Sequence, residues 1–276
     1  MKWEIFRKAA AVFLVLAGWH VQSQDLFDYK NSKSFADYLY RTKRYDLSAR
    51  EYQRILFLKP TDTSSWINLV RSYHFQQNFS QALSFLDSAE ASLGINDKRL
   101  GMLRAYSYLK TSDDNKLSNT LEKYQYSQGE RKLLVAANNA LKGNWSYFQN
   151  FPETDDYWLN NFKSMADEIR EDKSKSPFLA GLLSSIIPGS GKIYTKRGKD
   201  GLFSFALVGT SAWQASRLIS RKGIANVGSI FFTGFAAGLY AGNIYGSVKT
   251  AKDYNDRLKI KNYERSSDLV DLYFGY

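Results

Sequence analysis

His74 is the only histidine beyond residue 23, and the chain contains no cysteine. Nucleophilic catalysis would have to be built on that single imidazole, and no Gly-x-Ser-x-Gly elbow accompanies it. The acidic pairs Asp113-Asp114 and Asp155-Asp156 are sequence neighbours in expected inter-helix turns, where Asp caps helices instead of facing a second carboxylate across a cleft. Gly189-Ser190-Gly191-Lys192 looks like the end of a phosphate-binding loop. However, Ile186 stands where the first glycine belongs, Ile193 stands where a magnesium-binding hydroxyl belongs, and no strand precedes it. These residue types point to a chain that binds and anchors: no enzyme, no cofactor and no metal site is expected.

The elements that carry these residues differ sharply in composition. Across 276 residues the mean hydropathy is −0.42, ordinary for a soluble protein. Residues 25–172 balance twenty basic against twenty acidic side chains, whereas residues 173–276 hold fifteen basic against six acidic, so nearly all of the net charge of +11 lies in the C-terminal part. Basic residues flanking Gly-rich apolar segments mark a membrane region with cationic borders, not a nucleic-acid face. At the other end, Lys2, Arg7 and Lys8 precede an apolar run at 9–17 and the small residues Val21 and Ser23. That run is too short to span a bilayer, and residues 1–23 read as a secretory signal peptide cleaved before Gln24, with an uncleaved anchor as the alternative. The expected location is a bacterial inner membrane with an exported, periplasmic N-terminal domain.

Residues 34–60 and 65–94 align at an offset of 34: Tyr45 falls on Phe79, Ser48 on Ala82, Tyr52 on Leu86, Ile55 on Ala89 and Pro60 on Gly94. A third unit opens at Leu100, Leu103 and Tyr106, its second helix (Leu117, Leu121, Tyr124) slipped by about one residue. A fourth, around residues 133–141 with Gly143 and Trp145, ends early at Phe151-Pro152, and a polar helix over 155–172 caps the stack. Period and pattern resemble the tetratricopeptide repeat, which implies a helical solenoid over 24–172 binding a protein partner in the groove of its first helices. By that resemblance Tyr40, Arg41, Arg71, His74, Phe75 and Tyr108 line the groove, with packing between helices as the competing use of the aromatics.

Three apolar stretches follow, at 177–187, 201–219 and 224–246. The first is too short to cross alone and stops at Pro188-Gly189; the other two approach the roughly twenty residues a crossing needs and are joined by residues 220–223. The expected arrangement is a two-crossing hairpin over 173–255 with the first stretch interfacial or re-entrant, three crossings being the alternative, and a polar tail at 256–276. Pro188, Gly189, Gly191, Lys192, Tyr194, Gly198 and Gly201 form a Pro-Gly-x-Gly-x-x-Tyr signature. It is similar to that of small bacterial two-transmembrane-helix domains, in which Gln often stands at the place of Lys192.

In the third stretch Gly234, Gly238, Gly242 and Gly246 recur every four residues, with Asn243 beside them. Small residues at this spacing let a second helix approach closely in lipid, so the stripe is expected to pack on the second stretch at Gly209, Ser211 and Ala215, or on a second copy in a homo-oligomer. The fold class is therefore all-α, a tetratricopeptide-like solenoid followed by a membrane hairpin. The function expected is an envelope scaffold that binds a protein partner and membrane lipids but no nucleic acid. A transport, channel or insertion assembly is the second reading, and a membrane-embedded enzyme the third.

Overall fold

The computed structural model describes residues 28–94, 97–149, 151 and 154–276; the segment read as a signal peptide lies outside them. All regular structure among these residues is helical, and the chain divides after Tyr126 into two compact units.

The first unit holds α1 (Tyr29–Arg41), α2 (Tyr45–Leu58), α3 (Thr63–Phe75), α4 (Phe79–Leu93), α5 (Lys98–Thr111) and α6 (Asp114–Lys123), each packed on the next. Its internal repetition is written in the caps. Asp28, Asp62 and Asp97 accept backbone N–H bonds at the starts of α1, α3 and α5, at spacings of 34 and 35 residues. The tight links between paired helices place Lys43, Gln77 and Ser112 at positive φ, again 34 and 35 apart. The extra residue of the third unit thus enters between Gln77 and Asp97, ahead of α5. Small residues at the contacts let helices approach: Ser48 Oγ donates to the Ala36 carbonyl at 3.4 Å, and Ala82 and Ala89 are fully buried.

Arg104 ties α4 to α5, its guanidinium 2.7 Å from Asp87 and 3.2 Å from Glu90. Glu90 also receives Lys123 at 2.6 Å and the hydroxyl of Tyr124, which brings the end of α6 onto the same carboxylate.

The second unit begins with α7 (Gln128–Leu141), opened by a capping box between Ser127 and Glu130, and a 3-10 turn at Trp145–Phe148. Then follow α8 (Tyr157–Glu171), α9 (Pro177–Ile186), α10 (Ser190–Tyr194), α11 (Gly198–Lys222) and α12 (Val227–Phe274). The expected polar tail is instead the end of α12, a helix of 48 residues. Asn262, Ser266, Val270 and Phe274 recur every four residues on one buried face, and α7 and α8 both pack on α12, which is why the helix continues through residues 256–274. Lys261 pairs with Asp172, Arg265 with Glu168, and Trp158 meets Tyr273 edge-on. These contacts also explain why the division falls at Tyr126, well ahead of the compositional change near residue 173.

Among the described residues α12 alone is long and apolar enough to cross a membrane; its apolar window has a mean hydropathy of 1.3, and 11% of it is buried. Gln214 and Arg217 keep α11 short of that measure, so the two expected crossings reduce to one that composition and length support.

Gly101 marks a close approach within the first unit, for a Cβ there would lie 2.7 Å from the ring of Tyr124 and from Tyr126 Oη. Gly101→Ala is expected to cost about 1–3 kcal/mol by overpacking, read as lost hydrogen-exchange protection in α5 and α6 of the full chain. Gly129→Ala, with nothing within 4 Å, should leave protection unchanged.

Candidate functional site

The signature residues fold into a polar elbow held against α12. Ser176 caps α9, with Pro177 at its first position, and Ile187 and Pro188 stop the helix. Gly189 takes a left-handed φ of +86°, and a Cβ there would meet the Gly201 carbonyl oxygen at 1.9 Å, so both the backbone and the space demand glycine. Its N–H donates to Asn243 Oδ1 at 3.0 Å, while Asn243 Nδ2 donates to the Ser184 carbonyl at 3.3 Å. One buried amide from α12 therefore satisfies both a freed carbonyl of α9 and the turn that follows it.

Hydroxyls extend this network. Gly191 N–H donates to Ser184 Oγ at 2.9 Å, Ser184 and Ser247 hydroxyls lie 2.7 Å apart, and Thr195 donates to Thr250 at 3.2 Å. Ser184, Ser247, Thr195 and Thr250 are all buried, and no imidazole or carboxylate is among these partners. The arrangement holds a backbone in place. At the open end, Asn255 brackets Lys175 through both of its main-chain groups at 2.8 Å, and the Tyr194 hydroxyl accepts the Ser176 N–H under the Lys175 ammonium.

The pairings give the path of the chain along α12. Lys175 lies level with Asn255, Gly181 with Val248, and Gly189 with Asn243; Thr195 is back at Thr250. Seven residues separate Asn243 from Thr250, about 10 Å of helix, so the chain dips along α9 to the level of Asn243 and α10 returns by that much. From there α11 runs the other way along α12, with Ser204 near Gly246 through Lys192 and Leu218 near Gly228.

The seam between α11 and α12 follows a heptad. Gly201, Ser204, Val208, Ser211 and Ala215 are buried on α11, and Leu218 half-buried, at alternating spacings of three and four. On α12, Ser229, Asn243 and Thr250 are buried and Phe232, Ala236, Leu239 and Gly246 half-buried in the same rhythm. The glycine stripe departs from this seam. Gly234, Gly238 and Gly242 are exposed with nothing within 4 Å of where a methyl group would stand, and only Gly246 meets a neighbour, Lys192 Cε at 3.5 Å. The expected packing of the stripe on α11 is thus corrected. Steps of four advance about 400° around a 3.6-residue helix, so a four-residue stripe drifts off a seam that averages 3.5. Asn243 is placed at the contact as expected; Gly198 opens α11 with free space around it.

The residues assigned to a groove in the first unit are drawn into packing. Phe75 stacks on Tyr45 at 4.2 Å, Tyr40 meets both rings edge-on, and Arg71 donates to Tyr40, whose phenol burial pushes above its ordinary pKa. Tyr108 is hydrogen-bonded to Arg104 and lies 5.9 Å below the Lys116 ammonium. Arg41 is the exposed member of the set. His74 is 3% exposed between α3 and α5, its Nε2 2.8 Å from Ser107 Oγ and its ring against Tyr106, so it is a core residue and not a groove contact. Among the described residues no group of three His, Cys, Asp or Glu side chains is placed to hold a metal ion.

Sequence reasoning missed Ser184, Ser247, Thr250 and Asn255; the polar residues Asn243, Ser247 and Thr250 at spacings of four and three on α12 were the signal available. Comparison with family models, curated proteins and solved structures returned no match.

Two outcomes follow from this geometry. A Cβ on Gly191 would lie 1.9 Å from the Ala180 carbonyl oxygen, so Gly191→Ala should lower the thermal midpoint in detergent, whereas Gly238→Ala should hold or raise it, by up to about 1 kcal/mol of helix propensity. Burial, with a smaller push from Arg71, lowers the His74 pKa from 6.5 to about 3. The unfolded chain takes up that proton first, so stability is complete above the ordinary value and falls as pH drops toward about 3, at no more than about 1.4 kcal/mol per unit. The His74 ring resonance should not move between about pH 8 and about pH 5, the range in which an ordinary imidazole titrates.

Proposed function

We propose that the chain is a non-enzymatic, membrane-anchored scaffold of a bacterial envelope. In this reading α1–α6 are tetratricopeptide-like repeats that hold a protein partner, and α9–α12 form a membrane hairpin akin to the small two-transmembrane-helix domains, with α9 and α10 as a re-entrant elbow. The observation that carries it is the continuity of α12. Twenty residues at 227–246 supply about 30 Å of exposed apolar helix, enough for a hydrocarbon core, and the following 28 reach about 42 Å further. Val227, Phe231 and Tyr245 are 81%, 63% and 71% exposed on the apolar part, whereas Val270 and Phe274 are buried under α7 and α8. A single helix is both anchor and core element, with no linker between the two tasks.

Although α11 is less apolar, Leu202, Phe203, Phe205 and Trp213 lie exposed along it, which suits contact with lipid tails and favours the second crossing. A second reading, an oligomeric transport or insertion assembly, draws on the exposure of Gly234, Gly238 and Gly242, which leaves a smooth helix face open to another copy.

Because the chain has no cysteine, single cysteines report topology cleanly. Lys196→Cys and Lys259→Cys should react with an impermeant maleimide from one side of the membrane, and Lys222→Cys only from the other. Equal labelling of positions 196 and 222 from one side would overturn the two-crossing anchor. Labelling of position 196 from outside intact cells supports the exported orientation, and labelling only after lysis reverses it. Disulfide formation by Gly238→Cys between copies would support the assembly reading.

A further inference from the structure

Beside the elbow lies a recess of about 390 Å³ whose lining includes three cationic side chains, Lys192, Arg197 and Lys249. Lys192 enters it half-buried; its ammonium donates to Ser204 Oγ at 2.6 Å, its stem lies against Gly246, and among the described residues no carboxylate sits within salt-bridge range. Lys249 stands exposed on α12 across from it, and Thr250 adds a hydroxyl. Arg197 closes the third side at the start of α11, where no side chain caps the first N–H groups of a 25-residue helix. Two acids also line the recess: Asp200, held by Arg197 at 2.8 Å, and half-buried Asp253, which leave one positive charge in excess.

The surroundings select the source of an anion. The recess sits where α12 changes from apolar to charged, between exposed Tyr245 and Lys249, and exposed Phe203 forms its apolar lip. A ligand bound there would have its charged group among lysines and its remainder against hydrocarbon. We propose that this recess binds the phosphodiester of an anionic phospholipid, with Lys192 and Lys249 as the paired cations on its two charged oxygens, Arg197 and the first turn of α11 facing the same oxygens, and an acyl chain over Phe203. The Lys192 stem passes 3.5 Å from where a methyl group on Gly246 would stand, an ordinary packing distance that keeps the lysine along this face of α12. The inference rests on the membrane reading of α12, which places the recess at headgroup depth.

The test uses the full chain in detergent, titrated with phosphatidylglycerol and with phosphatidylcholine and read by native mass spectrometry. Phosphatidylglycerol should be preferred, and Lys192→Gln and Lys249→Gln should each cut the preference about fivefold, the weight of one cation near a lipid surface. Lys249 makes no contact the fold needs, so its variant stays informative where Lys192→Gln disturbs the elbow; unchanged elution and helicity identify a folded variant. Lys222→Gln, at the far end of α11, should change nothing. Equal binding of the two lipids, or an equal loss from Lys222→Gln, would overturn the site, and displacement by millimolar inorganic phosphate would overturn its assignment to lipid. If the membrane reading itself fails, the chain appears in the soluble fraction after lysis; if only the lipid site fails, the chain sediments with membranes and the lipids bind alike.

Discussion

A helix that breaks against an apolar surface must find partners for the backbone groups it frees, and the amide of Asn243 meets that requirement at the end of α9. An unpaired peptide group in such surroundings costs several kcal/mol, more than a typical contact returns, so the elbow exists only where an α12 side chain can reach it. The consequences spread outward. With Gly189 fixed against Gly201, α11 must start beside Gly246, and its direction along α12 is set. Ser184, bonded to Gly191 and Ser247, makes the same junction from the other side and leaves no room for a side chain at 191. Gly189, Gly191 and Gly201 are therefore steric consequences of a polar contact.

The buried positions in the seam of α11 on α12 are Ser, Gly, Ala, Val and Thr with one Asn, while Leu218, Phe232 and Leu239 are only half-buried, so it buries little apolar area. In water such a contact would be weak, since each fully buried large aliphatic side chain contributes roughly 1.5–3 kcal/mol and almost none are present. In lipid the balance differs, because close approach of small residues and hydrogen bonds between helices replace the hydrophobic term. The large residues of both helices, Phe205, Trp213, Phe231 and Phe235, face outward. This inversion, small inside and large outside, fits a medium that is itself apolar.

Much of the first unit was legible in the sequence. The offset of 34 aligned positions that the structure places at equivalent caps and turns, because a repeat keeps its punctuation: Asp at the helix start and a left-handed residue at the link. The use of the aromatics was not legible. Tyr40, Phe75 and His74 sit at spacings that suit either a groove or a core, and whether they pack depends on neighbours 30 or more residues away, such as Ser107 for His74. The glycine stripe misled for a related reason. Its regularity is a property of one helix, whereas a packing seam is a property of two, and Gly201, Ser204, Val208, Ser211 and Ala215 carried the matching rhythm on the partner. The C-terminal helix was hidden by polarity: between Arg257 and Asp271 the buried positions are Asn262, Ser266 and Val270, of which only Val270 reads as core.

That same polarity bears on how an anchor can be stiff. The ion pairs Lys261–Asp172 and Arg265–Glu168 lie at the surface, where such pairs contribute about 0–1 kcal/mol, and they alone would not hold α12 to α8. Val270 and Phe274 on α12, with Leu159, Phe162 and Ile169 on α8, are buried and carry the larger share. Those residues lie beyond the apolar stretch, so the packing of α7 and α8 on α12 does not depend on the small-residue seam with α11. Two different kinds of packing act on one continuous helix, and a rigid rod is what joins them. A displacement of α12 along its axis must therefore be felt at α7 and α8 in register, a property that a flexible linker after residue 246 would abolish.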